Sequence, residues 1–321
     1  MGYLKKETDN YAIIPDGYYQ VFNKSNYIII DKKEMFMQKE KGLISNQDIR
    51  LLEFLSVRVF ATESQIYEFC RLFGLYYVNQ TVDKALVRAT LDKLTEGFAL
   101  NRFYLSDVEA PTLNAIIPDD ALVFYCLAAG GCHLLNNYSN LNMYAWSCVN
   151  NNKVSDVISK ELASTQYYMR LLECVKGRLK YFRNNPIYDI INNHHYIMTM
   201  PSFDFMIETE DERRYVIGYI VKDYDSPATI RETLLALSIL LKTKTWKKYY
   251  LDAARKPNLM IISQNENINF FVARELTNLG VENVWYMLEE QLENHFNQNI
   301  FLQYKEDDEA FIPSGIRIFS E

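Results

Sequence analysis

A run of basic residues around position 247 has the composition of a phosphate-binding surface. Between positions 242 and 256 the chain carries six basic residues and one acidic residue. Three aromatic residues, Trp246, Tyr249 and Tyr250, are interleaved with Lys244, Lys247 and Lys248. Lysines beside exposed aromatic rings suit a nucleic-acid backbone, with bases stacking nearby. The same pattern is typical of the solvated end of a helix, where cations are favoured, and both interpretations stay open.

A second set of basic residues follows a helical spacing near position 88. Thr81, Lys84, Arg88 and Lys93 fall on the outer side of a predicted helix, and Arg102 lies on the strand after it. Such a helix can read base edges and touch phosphates in the major groove of duplex DNA. Residues 46–106 contain seven basic and seven acidic side chains, so this surface has no net charge. A surface for protein contacts therefore remains an alternative to DNA binding.

Other chemistry is not indicated by the motifs. His194 and His195 are neighbours, and neighbouring residues on a strand point to opposite faces, so they cannot hold one metal ion there. The sequence has no phosphate-binding loop of ATPases, no glycine-rich dinucleotide turn, no nucleophile elbow and no zinc-protease helix. The five cysteines are scattered without a close pair, which favours reduced thiols over a zinc site. We therefore expect no metal site of these kinds.

The elements that carry the second basic set predict a winged helix-turn-helix. Ser45 and Thr62 can cap two helices, with apolar positions at Ile49, Leu52, Leu55 and Val59 in the first. A third helix is predicted from Thr81 to Glu96, and two strands follow at 98–105 and 121–127. Three short helices followed by a hairpin predict a winged helix-turn-helix domain at 44–137.

The rest of the chain is divided by composition and periodicity. We expect a small β appendage at 1–43, with strands at 11–14, 18–22 and 27–30. An Asn-rich segment at 138–154 is predicted to be a linker. Residues 155–300 alternate between strand and helix patterns and predict a second, α/β domain. Residues 301–321 are predicted to be a solvated C-terminal tail, giving an α+β fold overall.

Composition limits the class of protein. The chain of 321 residues has 49% hydrophobic residues, which is enough for two globular cores. Its net charge of −7 argues against a nonspecific nucleic-acid coat but permits a small basic site. No stretch has the length and hydrophobicity of a membrane span, and the first residues lack the apolar core of a signal peptide. These features predict a cytoplasmic protein without membrane contact, and homodimer formation is left open.

A short segment after the predicted hairpin resembles the signature of a known family. Tyr125, Leu127, Gly131 and Leu135 match the pattern Tyr-x-Leu-Thr-x-x-Gly-x-x-x-Leu, and Ala128 replaces its threonine. With the order of elements over 45–290, the chain resembles the replication-relaxation family of plasmids and other mobile elements. That resemblance implies a DNA-binding protein acting in replication, transfer or regulation, with a restriction-endonuclease-like second domain. Its expected partners are double-stranded DNA and proteins of the same mobile element.

The resemblance also implies where a nuclease site would be. Such a domain cleaves DNA with a Mg²⁺ ion that is held by two carboxylates. One is an aspartate on a strand, and the other lies on the next strand, two residues before a lysine. Asp204 and Lys222 match the aspartate and the lysine of this pattern. The position two residues before Lys222, where the second carboxylate is expected, is Ile220. Glu232 on the following predicted helix could supply that carboxylate instead. We expect a non-catalytic domain without a cofactor. A Mg²⁺-dependent nuclease using Asp204, Glu232 and Lys222 is the alternative.

Overall fold

A computed structural model of the chain describes most of its residues. They are residues 2–6, 14–24, 28, 30–109, 115–143, 146–175, 177–192, 195–208, 212–297 and 299–314. The chain divides into two compact units, Met1–Thr165 (unit 1) and Gln166–Glu321 (unit 2). Within the described residues, no helix is both long enough and apolar enough to cross a membrane.

Unit 1 combines five complete α-helices with a four-stranded sheet among its described residues. The elements in chain order are β1 Tyr19–Phe22, α1 Lys32–Glu40, α2 Asn46–Arg58, β2 Ala61–Thr62, α3 Glu63–Phe73, β3 Tyr77–Val78, β4 Thr81–Val82, α4 Lys84–Glu96, β5 Leu100–Ser106, β6 Phe124–Leu127 and α5 Ala129–Tyr138. The sheet order is β1-β5-β6-β2, and every pairing in it is antiparallel. Helix α6, Ser155–Val175, crosses the boundary between the units.

The helix ends follow from local side-chain chemistry. Ser45 and Thr62 each accept a hydrogen bond from the third residue of the following helix, and that residue bonds back to complete a capping box. Gly74 ends α3 in the left-handed region at φ 65°, a conformation that glycine adopts without a Cβ penalty. Asp83 caps α4, so this helix begins at Lys84. The predicted start at Thr81 was wrong, because Thr81 belongs to the short strand β4.

The core of unit 1 is built where the helices cover the sheet. Phe60, Phe103 and Phe124 are fully buried, and the rings of Phe103 and Phe124 stack with centroids 5.3 Å apart. Leu52 and Leu91 bring α2 and α4 into the same buried interior. These short helices are stabilised by the shared core rather than by their own propensity.

Two predicted segments of unit 1 differ from the expectation. The proposed β appendage contains strand β1, which pairs with β5, but residues 32–40 form helix α1. Residues 11–13, 27 and 29 of the other predicted strands lie outside the described part. The segment predicted to be a linker at 138–154 is packed, since buried Asn151 donates a hydrogen bond to the carbonyl of Leu127 at 2.8 Å. An Asn-rich composition is typical of a linker, but it also occurs where asparagine side chains hydrogen-bond to backbone groups in a packed segment.

A close helix–strand approach explains the glycine of the Tyr125–Leu135 segment. A Cβ on Gly131 would overlap the carbonyl oxygen of Ala99 and lie 2.6 Å from a methyl of Leu127. Gly131→Ala is therefore expected to destabilise unit 1 by about 1–3 kcal/mol through overpacking. Hydrogen exchange in β5 and α5 measures this effect. Gly97→Ala is the control, because a Cβ there would come no closer than 3.2 Å to the flexible end of Gln38 and 3.3 Å to the carbonyl oxygen of Lys93. Equal protection in both variants would contradict the prediction.

Unit 2 is a seven-stranded sheet with helices α7 and α8 packed on one face. Its elements are β7 Leu179–Asn184, β8 Tyr188–Asn192, β9 His195–Thr199, β10 Phe203–Glu208, β11 Arg213–Val221, α7 Pro227–Lys242, β12 Asn258–Ser263, α8 Glu266–Asn278, β13 Val284–Leu288, β14 Leu302–Lys305 and β15 Ala310–Pro313. The sheet order is β15-β14-β13-β12-β11-β10-β7, and β8 and β9 pair separately. Strands β7, β10 and β11 are antiparallel neighbours, whereas β11, β12 and β13 are parallel.

The predicted tail is partly wrong. Residues 302–305 and 310–313 form β14 and β15 at one edge of the sheet, while residues 315–321 lie outside the described part. Phe311 packs on Tyr286 with ring centroids 5.1 Å apart, so apolar contacts hold this hairpin in place. The chain as a whole has a mixed fold of helices and sheets, consistent with the predicted α+β class.

Candidate nucleic-acid interface

Helix α4 places the predicted reading residues on one outer surface. Val87, Leu91 and Leu94 are buried against the core, while Lys84 and Arg88 are exposed on the opposite side. This division follows the helical period, in which residues three and four apart share a face. Lys84 and Arg88 therefore lie as predicted, one turn apart on the solvent side.

Most basic side chains of this surface are held by carboxylates of unit 1. Arg88 donates from Nε to Glu63 at 3.0 Å, and a second guanidinium nitrogen contacts the same oxygen. This pairing raises the pKa of Arg88 above its ordinary value, first through the hydrogen bond to Glu63. Arg102 contacts Asp92 at 2.6 Å, so it also has an internal partner.

Lys93 belongs to a buried structural network. Its ammonium contacts Asp48 at 2.6 Å, and the Asp48 side chain is 1% exposed. Asp48 also caps α2 and accepts a hydrogen bond from the Tyr76 hydroxyl at 2.8 Å. Burial and the Asp48 charge raise the pKa of Tyr76 well above its usual range. Lys93 therefore ties α4 to α2, a role that helical spacing could not reveal.

A cleft beside helix α4 brings together Lys6, Lys84 and Arg88. It has a volume of about 270 Å³ and lies between α3, α4 and the approach to β6. Lys84 lines it, with its ammonium 4.8 Å from the centre of the Tyr67 ring. Lys6 lines it too, and sequence reasoning missed this residue, since the first residues gave no sign of packing against the sheet. Three cations and one carboxylate, Glu63, thus share this cleft.

The lysine-rich segment of unit 2 forms a short turn after α7. Lys244 adopts a left-handed conformation at φ 60°, and the 3-10 helix Thr245–Lys248 follows it. Lys244, Lys247 and Lys248 are exposed. In the described part of the chain, these three lysines have no carboxylate within ion-pair distance. They are therefore an uncompensated positive surface.

The aromatic residues of this turn serve the core. Trp246 and Tyr250 are both buried, so neither ring can stack on a base. Lys247 and Lys248 lie over the rings of Trp246 and Tyr249, at 5.6 Å and 5.2 Å from their centres. The proposed stacking part of this surface was therefore wrong for Trp246 and Tyr250, because both rings are packed inside unit 2. The lysines keep their predicted exposure.

The predicted nuclease strands are adjacent, as expected. Strand β10 carries Asp204 and pairs antiparallel with β11, and Lys222 directly follows β11. Helix α7 packs on these strands through Leu234 and Leu237, which share a buried cluster with Ile217 of β11. The predicted pair of adjacent antiparallel strands under this helix is confirmed, with Asp204 on β10 and Lys222 one residue beyond the end of β11.

The register, however, separates the two side chains. Asp204 is paired with Ile217, so both point to the sheet face covered by α7 and α8. Lys222 comes five residues after Ile217, and an odd number of strand residues reverses the face. Lys222 is buried in an ion pair with Glu289, at the end of β13. Asp204 and Lys222 therefore do not converge on one site.

Asp204 is instead the acceptor of a saturated hydrogen-bond network. Its buried carboxylate accepts from Arg183 at 2.8 Å, from the Tyr188 hydroxyl at 2.7 Å and from the Tyr250 hydroxyl at 2.8 Å. Burial first, then the Asp204 charge, raises the pKa of Tyr188 well above its ordinary range. Each of these partners comes from a different segment, so Asp204 joins them to β10.

The remaining candidates for metal chemistry do not gather around Asp204. Glu232 is exposed on α7, away from the buried Asp204 carboxylate. His195 starts β9, and His194 lies outside the described residues. Among the described residues, no group of three or more histidine, cysteine or acidic side chains could hold a metal ion. The carboxylate set that Mg²⁺ would need is thus not assembled by these residues.

Comparisons with known proteins give only weak structural likenesses. No protein family and no curated protein matches the sequence. Protein VC1899 from Vibrio cholerae is 10% identical, with a TM-score of 0.29, over 86% of this chain and 56% of its own length. The SdaI restriction endonuclease is 12% identical, with a TM-score of 0.21, over 88% of this chain and 99% of its own. TM-scores this low carry no fold or function assignment, so the chain has a weak likeness to a restriction endonuclease and no family is shown.

Proposed function

We propose that the chain is a DNA-binding protein whose unit 1 reads a duplex as a winged helix-turn-helix. The observation that carries this proposal is the exposed face of α4, where Lys84 and Arg88 project beside a cleft rich in cations. Helix α4 follows α3 and precedes the β5–β6 pair, and the short strand β2 adds beside β6. This order of helices and strands supports a winged helix, in which the last helix enters the major groove.

For unit 2 we propose a non-catalytic platform with a restriction-endonuclease-like fold. Helix α6, the antiparallel strands β7, β10 and β11, and the parallel crossover through α7 to β12 support that fold. Asp204 and Lys222 are each held by buried partners, the Tyr188 hydroxyl and Glu289, on opposite faces of the sheet. The exposed Lys244, Lys247 and Lys248 add a sequence-independent phosphate contact to this role. A role in the replication, transfer or regulation of a mobile element rests on the sequence resemblance alone.

A protein-interaction scaffold is the rival that one observation favours. The outer face of α4 also exposes Leu86, Ala85 and Ala89. Together with the internal pairing of Arg88, this gives a less polar surface than a strong DNA-binding helix presents.

Selection from a pool of random duplexes distinguishes these proposals. We expect enrichment of one short site, and weak affinity for unrelated duplexes, because Arg88 and Arg102 of unit 1 are paired with carboxylates. Replacing Lys244, Lys247 and Lys248 together by alanine should weaken binding to all duplexes alike and lower the salt slope by about one unit for each lost phosphate contact. If no duplex is enriched and the lysine turn has no effect, the scaffold is the better account.

A further inference from the structure

We propose that the cleft of unit 1 binds a phosphate group, and that this phosphate takes the place of the Glu63 carboxylate on Arg88. The ligand chemistry is a phosphate ester, supplied either by the DNA backbone or by a free nucleotide. For the backbone source, the inference rests on the proposed DNA binding and specifies which side chains hold the phosphate.

The cleft has the composition of an anion site. Lys84 and Arg88 line it from helix α4, Lys6 lines it from the segment at residues 2–6, and Glu63 is its acidic residue. Within the described part of the chain, Lys6 and Lys84 have no carboxylate at ion-pair distance, and the Lys6 ammonium donates one hydrogen bond, to the carbonyl of Asp119 at 3.2 Å. Three apolar residues also line the cleft, Val87, Leu122 and Val123. They lower the local polarity, which strengthens the interactions between charges in the cleft. A volume of about 270 Å³ exceeds what a phosphate group alone requires and leaves room for part of a sugar.

The position of Lys6 is fixed by the backbone. Its amide donates to the carbonyl of Asp120 at 2.8 Å, and the amide of Leu122 donates to the carbonyl of Leu4 at 2.7 Å. The first residues therefore run beside the approach to β6 as an added extended segment. Lys6 is brought to the cleft by this pairing, and it does not depend on a flexible end.

A phosphate group can displace the Glu63 carboxylate from Arg88. The Glu63 side chain is 32% exposed and that of Arg88 is 62% exposed, so solvent weakens their ion pair. A phosphate group accepts two hydrogen bonds from a guanidinium as a carboxylate does, and it carries more acceptor oxygens. Lys84 and Lys6 would contact the phosphate as well, whereas Glu63 contacts neither of them by an ion pair. Glu63 also stands at the first position of α3, whose positive end favours either anion.

The test measures binding of a short duplex and of AMP to the full chain and its variants by titration calorimetry over a range of salt concentrations. Lys6→Ala and Lys84→Ala should each lower the salt slope for the duplex by about one unit, if the backbone supplies the phosphate. If a free nucleotide is the ligand, these variants should weaken AMP binding instead. If the duplex binds, neither variant changes its binding and AMP does not bind, the cleft is not a phosphate site, although the proposal of DNA binding would still stand. Failure of both ligands to bind would overturn both proposals.

A double-mutant cycle tests the exchange itself. Glu63→Gln should tighten binding roughly two- to fivefold, because Arg88 is released from an exposed ion pair. The gain should vanish in an Arg88→Ala background. Glu40→Gln, an equal charge change on exposed α1 outside the cleft, should have a smaller effect. A gain that persists without Arg88, or that Glu40→Gln reproduces, would show a general charge effect and refute the exchange.

Discussion

Replacing Asp204 by alanine is expected to destabilise unit 2 by about 2–4 kcal/mol, from the loss of its charge-assisted hydrogen bonds and from the buried polar group that it leaves unsatisfied. The carboxylate is 0% exposed and accepts from Arg183, Tyr188 and Tyr250. Without it, the hydroxyls of Tyr188 and Tyr250 keep each other as partners, so one of these two buried donors loses its acceptor, which costs about 1–3 kcal/mol. Asp204→Asn keeps one acceptor oxygen and should fall between alanine and the unaltered protein.

Urea unfolding followed by tryptophan fluorescence measures this loss. Trp246 and Trp285 are buried in unit 2, and a Trp146→Phe background removes the tryptophan of unit 1. The control is Asp252→Ala, which removes the ion pair between Asp252 and Arg213. The Asp252 side chain is 70% exposed. Loss of such an exposed pair should cost less than about 1 kcal/mol. An Asp204→Ala variant as stable as the control would show that the carboxylate is not structural, and the nuclease alternative would regain support.

Replacing Lys222 by methionine should have an effect of similar size. Lys222 and Glu289 are both almost fully buried, and their ion pair joins the ends of β11 and β13. Removing the ammonium leaves Glu289 without this partner, and we expect a loss of about 3–5 kcal/mol. Adding Glu289→Gln should restore a substantial part of the stability, because the buried charge is then removed as well.

The same fluorescence assay follows this pair. The single and double variants give a coupling energy, which distinguishes an ion pair from two independent packing effects. If the double variant loses as much as the two single variants together, Lys222 and Glu289 do not act as a pair. A catalytic lysine would behave differently, because it would affect a reaction and leave the folding stability largely unchanged.

Local patterns predicted the elements near the candidate interface well. The caps at Ser45 and Thr62 and the stop at Gly74 follow from side chains that satisfy adjacent backbone groups and from the freedom of glycine at a helix end. The outward position of Lys84 and Arg88 follows from the helical period alone. Helix α1 was missed because only Met35 is buried in it, so it has almost no apolar stripe.

Long-range pairing is what the sequence could not supply. The partners Glu63 and Arg88 are 25 positions apart, and Asp48 and Lys93 are 45 apart, so no local spacing links them. The faces of Asp204 and Lys222 depend on the register of β10 against β11, and one residue of slip would reverse one of them. Lys6 reaches its cleft only through backbone pairing with residues beyond position 119.

The most direct test of the DNA-binding account is the effect of Arg88→Ala on an enriched duplex and on an unrelated duplex, each at two salt concentrations. If Arg88 on α4 contacts a backbone phosphate of the bound duplex, the variant should weaken binding to both duplexes and lower the salt slope by about one unit. Lys93→Ala is a poor control, since Lys93 holds buried Asp48, so Arg50→Ala on the exposed side of α2 serves instead. If Arg88→Ala leaves the affinity and the salt slope unchanged on both duplexes, as Arg50→Ala is expected to do, the account is contradicted.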